Sequence, residues 1–414
     1  MATYYWVGGT GTWNTSTTTN WASSTGGAGG AGVPTSADSV IIDTASGTGT
    51  ITCTAGVCLD LTVTATQAIT LGAFSSSLSI YGNLTFPSGG SFACGANAGT
   101  MTFAATTTGK TITTNGKSVT FALAFNGIGG SWTLGSALTC TSTTAQVFTV
   151  TNGSFNTNNF NMTLSQGIGL GAGGSLTLGS STISCGYRIT LTAGATFSAG
   201  TSTINLSDTG GSCILTTAGF SFYNFNFTST TATVTNVITG STTFNNLSIA
   251  APPKNGYKIT TLSANITVNG TFTTSGTTVN RIWLQSVTAG TPYTITAAAV
   301  SLTDTDFTDI TGAGAATWSG TRLGNATGNS GITFATPKTV YWNLAGAQNW
   351  SATGWATSSG GTPAAANFPL PQDTAVFDNT GSVTGIITID NSWNIGTLDM
   401  SARTSAMTCS CRHI

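Results

Sequence analysis

The sequence predicts an all-β protein, a right-handed parallel β-helix (β-solenoid) with Trp-rich capping blocks. The first observation is a phrase made of one glycine, one or two small residues and a large apolar residue. Its four clearest copies start 23, 21 and 20 residues apart, at Gly130, Gly153, Gly174 and Gly194. A second phrase keeps the same step, because Gly179-Ser180-Ser181-Thr182-Ile183 returns 21 residues later as Gly200-Thr201-Ser202-Thr203-Ile204. A period near 20 in a Thr- and Ser-rich chain is typical of coils that stack and share one core.

The large apolar residues of the first phrase lead to a sharper expectation. Each of them occupies the same place in its coil, so side chains one period apart lie above one another in the stack. We therefore expect a single interior column formed by Trp132, Phe155, Leu176 and Phe197.

The composition favours a solenoid over a compact enzyme. Charged residues make up 5 % of the chain, against about 25 % in ordinary globular proteins, and there is no glutamate. The chain is nevertheless 39 % hydrophobic, which distinguishes it from disordered chains. A net charge of −1, with ten scattered Lys and Arg, argues against binding to nucleic acid or to an anionic membrane surface.

Three parts follow one another along the chain. Residues 1–48 are predicted to be a Trp-rich N-terminal cap, and residues 49–337 a β-helix body with the closing segment 301–337. Residues 338–414 are predicted to be a second Trp-rich cap and the start of a second short β-solenoid unit. The evidence is an internal repeat of three tryptophans followed by an apolar strand between two aspartates. Its members are Trp6, Trp13, Trp21, Asp38 and Asp43 in the first copy, and Trp342, Trp350, Trp355, Asp373 and Asp378 in the second.

The tryptophans allow two interpretations. A cap covers the open end of a solenoid with bulky side chains and prevents edge pairing with other chains. An exposed indole face can instead stack on the apolar face of a sugar ring. We favour the cap because each block precedes a solenoid. The glycan-stacking alternative concerns Trp6, Trp13, Trp21, Trp342, Trp350 and Trp355.

The sharpest catalytic candidates are three aspartates of the closing segment, Asp304, Asp306 and Asp309. Strand alternation places Asp304 and Asp306 on one face and Asp309 on the opposite face or past a turn. Two carboxylates can serve as acid and base in a glycosidase, and several together can bind Ca²⁺. The interpretation that we favour is a solvated strand, so no residue is assigned a catalytic role.

Metal and cofactor chemistry are not expected. The eight cysteines form no CxxC pair, and the one histidine is His413. These features argue against a zinc site and against Ser-His-Asp or Cys-His nucleophiles. Four isolated cysteines are expected to be small inward-facing apolar residues, namely Cys94, Cys140, Cys185 and Cys213.

The sequence contains no candidate membrane span, since no apolar run approaches the roughly 18 residues that a spanning helix needs. The N-terminus has neither the basic segment nor the apolar core of a signal peptide.

Residues 338–414 supply too few coils to bury a core alone, so their last strands are expected to leave an open edge that packs on neighbouring chains.

The opening of the chain resembles that of β-helical bacteriophage fibre and tail or head appendage proteins. The residues concerned are Tyr5-Trp6-Val7-Gly8-Gly9-Thr10-Gly11-Thr12-Trp13 and Asn20-Trp21. The segment Asp306-Phe307-Thr308-Asp309-Ile310 is similar to the junctions in that group. The resemblance covers residues 1–60 and 300–400 best. It implies a fold and a role but no chemistry, because the group has no invariant catalytic motif.

Together these observations predict a structural, non-enzymatic virion protein, a multi-copy component of a phage fibre or of a tail or head appendage. A receptor-binding or adhesin module that recognises host surface glycans is the second class, and a polysaccharide depolymerase is the third.

Expected partners are other virion proteins and copies of the chain itself, with a host glycan in the second class. The expected location is the virion, assembled in the host cytoplasm, and the alternative is the extracellular cell surface. A concave coil face with converging acidic and aromatic residues would favour the depolymerase, whereas ladders of Thr, Ser and Asn would favour the structural rod.

Overall fold

The structure, a computed structural model, describes residues 1–72, 77–95, 99–208, 210–229, 231, 235–380 and 385–411. Its parallel strands stack as coils and form a β-solenoid of about 15 turns, with 2 % helix. The predicted all-β solenoid is therefore confirmed. Two short 3-10 helices lie in the described ranges, at Thr44–Ser46 and Ala365–Asn367. No helix of these ranges has the length and apolarity that crossing a membrane requires.

The strands are mostly short and run around the coils. Those of the first part of the chain are Thr3–Trp6 (β1), Gly11–Trp13 (β2), Trp21–Ala22 (β3), Ser39–Ile42 (β4), Gly49–Cys53 (β5), Gly56–Cys58 (β6), Leu61–Val63 (β7), Ile69–Gly72 (β8), Ser77–Ile80 (β9), Leu84–Thr85 (β10), Ala93–Cys94 (β11), Thr100–Phe103 (β12), Lys110–Thr113 (β13), Ser118–Val119 (β14), Ala122–Leu134 (β15), Leu138–Cys140 (β16), Gln146–Asn156 (β17), Met162–Leu164 (β18), Gly167–Thr177 (β19), Thr182–Gly186 (β20), Arg188–Leu191 (β21) and Thr196–Ser198 (β22). The following strands are Thr203–Ser207 (β23), Ser212–Thr216 (β24), Ser221–Phe227 (β25), Thr235–Thr239 (β26), Thr242–Ala250 (β27), Gly256–Leu262 (β28), Ile266–Ser275 (β29), Asn280–Ser286 (β30), Tyr293–Thr303 (β31), Thr305–Thr308 (β32), Ile310–Ala313 (β33), Gly320–Thr321 (β34), Gly324–Thr327 (β35), Thr339–Trp342 (β36), Gln348–Asn349 (β37), Trp355–Ala356 (β38), Thr374–Val376 (β39), Ile386–Ile389 (β40), Thr397–Asp399 (β41) and Thr408–Cys411 (β42).

The chain folds as two compact units. The first unit contains Met1–Leu206 and Leu215–Asn224, and the second contains Ser207–Ile214 and Phe225–Ile414. Inward-facing and outward-facing residues alternate along the strands of both units, as in β28, where every second residue is buried. This alternation explains why Thr is frequent, because a β-branched hydroxyl side chain suits the outward positions of a pleated surface.

The interior column predicted from the repeated phrase is present in the first unit. The parallel register places Trp132 beside Phe155, Phe155 beside Leu176, and Leu176 beside Phe197. The first three side chains are at most 2 % exposed, and Phe197 is partly buried. The prediction of one column is therefore confirmed.

The glycine that opens the phrase has a geometric role at Gly153. Its φ of 80° lies in the left-handed region, which residues with a side chain rarely adopt. A Cβ at this position would also press on the carbonyl oxygens of Gly127 and Gly130 and on the ring of Trp132. The close approach of neighbouring coils at this corner therefore requires glycine.

The internal repeat has the same strand pairing in both copies, which we define as residues 1–72 and 338–411. In the first copy β1 pairs antiparallel with β3 and parallel with β4, and in the second β36 pairs in the same way with β38 and β39. Trp6 faces Trp21 just as Trp342 faces Trp355. The similarity of the two sequences is thus a similarity of structure.

One aspartate of each copy makes the same contact. Asp38 accepts a hydrogen bond from the backbone N–H of Ala2 at 2.7 Å, and Asp373 accepts one from that of Lys338 at 3.0 Å. Ala2 and Lys338 each precede the first strand of their copy by one residue. The capping role of the Trp-rich blocks and the three-part division at residues 48 and 337 stay predictions.

Replacing Trp13 by alanine tests the packing of the first copy. Trp13 is fully buried, and its ring packs edge to face against that of Trp21, with the ring centroids 5.2 Å apart. We expect Trp13→Ala to lower the free energy of unfolding by about 3–5 kcal/mol, because it leaves a cavity. Trp13→Phe should cost less, since the indole N–H of Trp13 has no hydrogen-bond partner among the described residues. Urea unfolding measures both changes.

Phe160→Ala is the matched control, because Phe160 is 36 % exposed and its truncation leaves no enclosed cavity. Its stability should stay close to that of the unmodified protein. Equal losses for Trp13→Ala and Phe160→Ala would contradict the packing role of Trp13.

Candidate functional site: a buried arginine and aspartate cluster

Asp304 and Asp306 lie in the second unit, next to Arg281 of the preceding coil. Asp304 forms the turn between β31 and β32, with a φ of 49°. The parallel register pairs Ile282 of β30 with Thr305 of β32. Arg281 and Asp304 each precede this pair by one residue, so they are neighbours across the coils.

The guanidinium of Arg281 bridges the two carboxylates. Its Nη1 donates to Asp304 Oδ1 at 3.0 Å, while Nε and Nη2 donate to Asp306 Oδ1 at 3.1 and 2.5 Å. Nε also donates to Asp306 Oδ2 at 3.3 Å, so Nε and Nη2 together reach both carboxylate oxygens, as in the bidentate pairs that arginine forms most strongly. Nη2 of Arg322 adds a second cation 2.7 Å from Asp304 Oδ1. Two positive charges thus balance two negative charges in a place where the Arg281 side chain is 1 % exposed.

Tyr257 completes the group from the neighbouring strand β28. Its hydroxyl donates to Asp306 Oδ2 at 2.5 Å, and the backbone N–H of Asn394 donates to that hydroxyl at 3.4 Å. The ring of Trp393 packs edge-on against Tyr257 at 5.7 Å. Burial, with the charge of Asp306, raises the pKa of Tyr257 well above 10, so the phenol keeps its proton and remains a donor. We call Tyr257, Arg281, Asp304, Asp306 and Arg322 the Arg281 cluster.

Residues of the second copy of the repeat also cover the Arg281 cluster next to Gly324. Gly324 lies beside Asp306 in the register of β32 and β35. A Cβ on Gly324 would collide with the carboxylate of Asp306 and with Pro371. Gln372 holds this contact in place, because its Oε1 accepts from the N–H of Asn325 at 2.9 Å. The Arg281 cluster is therefore enclosed by residues of the second copy, which follows the closing segment 301–337.

Asp309 does not join the other two aspartates. It lies past a turn, with a φ of 53°, where Oδ2 accepts from the N–H of Gly290 at 2.7 Å. The side chain is buried and supports a corner of the coil. Of the two positions that alternation allows for Asp309, the structure has the one past the turn.

The solvated strand expected for Asp304 and Asp306 is wrong, because both side chains are buried. Their arrangement suits packing better than chemistry. A glycosidase needs two carboxylates that reach the sugar, one of them protonated, whereas both carboxylates here face one guanidinium and are at most 4 % exposed. The same guanidinium occupies the place where a calcium ion would need their oxygens. Throughout the described ranges, no three His, Cys or Asp side chains come together in a way that could hold a metal ion. His413 lies outside the described residues.

The six tryptophans considered for glycan stacking are buried, with at most 4 % exposure. The rings pack against one another. The ring centroids of Trp6 and Trp21 are 5.0 Å apart, and those of Trp350 and Trp355 are 4.7 Å apart. Stacking on a sugar needs an open aromatic face. None of the six tryptophans offers such a face in this structure, because Trp13 and Trp342 are buried like the four just named.

Two shallow grooves lie on coil faces of the first unit. Their volumes are about 280 and 170 Å³, below the roughly 300–1,000 Å³ of typical ligand sites. The residues that line them include Thr108, Asn152, Ser154 and Ser175 in one and Gln146, Thr149, Thr151 and Thr190 in the other. Neither lining contains a carboxylate or an aromatic ring, which is the pattern expected of a structural rod.

The thiols predicted to face inward are mostly buried. Cys140, Cys185 and Cys213 are at most 2 % exposed, and Cys94 is partly exposed. Burial raises the pKa of Cys140 to about 11 and that of Cys94 to about 12. A thiol that keeps its proton at neutral pH is a poor nucleophile, so these side chains act as small apolar residues.

Sequence analysis missed Tyr257, Arg281 and Arg322, although a signal for Arg281 was present. Arg281 stands in a strand beside Ile282 and Trp283, in a chain with only ten Lys and Arg. A charge buried in such a strand requires an opposite charge. Asp304 and Asp306 follow it by 23 and 25 residues, which is close to one coil period.

Comparison with protein-family models, with curated proteins and with solved structures finds no match for this chain. The function therefore has to be argued from the fold and from the contacts of its own residues. Those contacts place the candidate carboxylates and the candidate aromatic rings inside the protein.

Asp306→Asn tests the Arg281 cluster. The change keeps the shape of the side chain but leaves Arg281 with less opposite charge in a buried place. We expect a loss of about 3–5 kcal/mol in the free energy of unfolding, the usual result of breaking a buried ion pair. Urea unfolding followed by tryptophan fluorescence measures the loss.

Asp208→Asn is the matched control, since the carboxylate of Asp208 accepts from the N–H of Gly210 at the surface. Its unfolding midpoint should not change. The double variant Arg281→Leu with Asp306→Leu should lose less than the sum of its single changes, because the two side chains interact directly. Additive losses would show that the ion pair contributes nothing of its own.

Tyr257→Phe tests the pH dependence that follows from the raised pKa. In the unfolded chain Tyr257 loses its proton near pH 10, whereas in the folded chain it keeps it. Above about pH 10 the folded state therefore binds more protons, and the free energy of unfolding falls as pH rises. Tyr257→Phe should flatten this fall and leave the slope below pH 10 unchanged. Tyr223→Phe, at a 37 % exposed ring, should keep the slope of the unmodified protein, and equal slopes for all three proteins would contradict the assignment.

Proposed function

We propose that this chain is a structural, non-enzymatic protein of a virion, a multi-copy component of a phage fibre or of a tail or head appendage. The observation that supports this best is that the side chains considered for catalysis and for sugar binding are buried and in contact with one another. Asp304 and Asp306 are neutralised by Arg281 inside the protein, and the tryptophans pack against one another. The residues that chemistry or sugar binding would need are used to hold coils together.

The outer faces of the coils support the same proposal. Amide and hydroxyl side chains hydrogen-bond from one coil to the next, as Asn152 Nδ2 does to Asn126 Oδ1 at 2.7 Å. Asn159 Oδ1 likewise accepts from the N–H of Ser180 at 2.9 Å. Such ladders stabilise the contact between neighbouring coils without using charge, which suits a structural protein.

The resemblance of the opening residues to β-helical phage appendage proteins agrees with this role. On this proposal the chain is assembled in the host cytoplasm into the virion, and its partners are other virion proteins and copies of itself. Recognition of a host glycan and cleavage of a polysaccharide are the competing functions, and the experiment below separates them.

Gold-labelled antibodies against the purified chain, applied to the particles that contain it, test the location by electron microscopy. We expect label on a projecting fibre or appendage. Particles without label on any projection, with the chain found in another fraction by mass spectrometry, would contradict the proposal.

A second measurement tests the absence of turnover. The purified protein is incubated with capsular polysaccharide or lipopolysaccharide of the host, and new reducing ends are counted. We expect none above a heat-unfolded sample of the same protein. Release of fragments by the folded protein would favour the depolymerase, and retention on the polysaccharide without release would favour the adhesin.

A further inference from the structure

Five asparagines of the chain are followed directly by glycine, namely Asn115, Asn126, Asn152, Asn255 and Asn269. This dipeptide can react without an enzyme. Glycine has no side chain to shield its backbone nitrogen, so that nitrogen can attack the side-chain carbonyl carbon, Cγ, of the asparagine before it. The five pairs are alike in sequence, and their surroundings in the fold decide which of them can react.

Asn115 and Gly116 form the turn between β13 and β14. The N–H of Lys117 donates to the carbonyl oxygen of Thr114 at 2.9 Å, and the two residues between them have φ values of 50° and 80°. A two-residue turn in which both φ values are positive favours Asn-Gly. The dipeptide therefore has a structural reason to be at this corner of the coil, and its reactivity is a second consequence of the same turn.

The pair at Asn115 is the most open of the five. Gly116 is exposed, a Cβ on it would meet nothing within 4 Å, and its N–H donates to no described residue. The glycines of the other four pairs are buried or partly buried and belong to strands β15, β17, β28 and β29. Ring closure requires the backbone between the two residues to rotate, and pairing with neighbouring strands restrains that rotation. The turn is free of this restraint.

The pair at Asn255 shows how the fold protects such a dipeptide. The N–H of Gly256 donates to the carbonyl oxygen of Val279 at 2.7 Å, and Nδ2 of Asn255 donates to Ser351 Oγ at 2.8 Å. The attacking nitrogen and the side-chain amide are thus both held. At Asn115 the side-chain amide is held by a bond from Nδ2 to a backbone carbonyl oxygen at 2.7 Å, whereas the attacking nitrogen is not held.

We propose that Asn115 is a site of spontaneous deamidation in the folded protein. The backbone nitrogen of Gly116 forms a bond to Cγ of Asn115, the bond from Cγ to Nδ2 breaks, and ammonia leaves with the proton of the Gly116 N–H. Water then opens the cyclic imide at either of its carbonyl carbons, which gives aspartate or isoaspartate. The net change is the loss of ammonia and the gain of water, and it leaves a new negative charge without any oxidant.

The conversion affects the coils on both sides of the turn. The N–H of Asn115 donates to Ser136 Oγ of the next coil at 3.0 Å, and Nδ2 donates to the carbonyl oxygen of Phe86 in the preceding coil. A carboxylate at this position cannot donate and repels that carbonyl oxygen, and isoaspartate also lengthens the backbone of the turn. Deamidation therefore loosens the stack at this corner. The site goes beyond the proposed function, because it depends on the turn alone, whichever particle contains the chain.

Peptide mapping by mass spectrometry tests the site. The folded protein is incubated in mildly alkaline buffer, and the deamidated fraction at each of the five pairs is followed over time. We expect Asn115 to convert roughly two- to tenfold faster than each of the other four, since ring closure inside a strand costs at least one further backbone hydrogen bond. The same chain unfolded in urea is the control, and there the five pairs should convert at similar rates.

Two results would overturn the proposal. One is a folded protein in which another Asn-Gly pair converts as fast as Asn115 or faster. The other is a folded protein that keeps Asn115 intact over the time in which the unfolded sample converts.

Asn115→Asp tests the consequence for the coils, because it introduces the charge directly. We expect a lower urea midpoint, since the bond to the carbonyl oxygen of Phe86 is lost. Asn269→Asp is the matched control, because Asn269 also precedes a glycine and its exposed side chain hydrogen-bonds to no described residue. Its midpoint should stay close to that of the unmodified protein, and equal midpoints for the two variants would contradict the loosening of the stack.

Discussion

The pairing of each coil with its neighbours is the interaction on which the rest of this structure depends. A single coil cannot satisfy its backbone groups or bury its apolar face, because both need the coil before it and the coil after it. The column of Trp132, Phe155 and Leu176 shows the result, since each side chain is covered by the next. Stability in such a stack is local, and every place where the stacking stops exposes an edge.

The scarcity of charge follows from the same constraint. With 5 % charged residues, the chain leaves its outer faces to hydroxyl and amide side chains, and the charges that it does bury have to be matched. Arg281 and Asp306 are matched on the outer face of the coils, under the segment that contains Pro371 and Asn394. A buried ion pair is weak evidence for net stability. Its directional contacts with Tyr257 instead specify how this segment packs on the coils.

The two copies of the internal repeat show that the exposure of a residue depends on the coils next to it. Both copies have the same pairing, including Trp6 beside Trp21 and Trp342 beside Trp355. Leu61 and Leu398 nevertheless differ in exposure, because a further coil covers the first and none of the described strands covers the second. The same local sequence pattern therefore gives a buried leucine in one place and an exposed leucine in the other.

The sequence by itself determined the solenoid, the interior column and the internal repeat, because all three depend on the coil period and on strand alternation, which are local properties. It did not determine the partners of Asp304 and Asp306. Arg281 precedes them by about one coil period, a signal that the sequence contains, but their cover comes from residues much further along the chain, which no local pattern connects with them. Whether Trp13 or Trp350 would show a face to solvent was likewise open in the sequence. Only the tertiary structure decided it, because burial depends on which side chains meet across the fold.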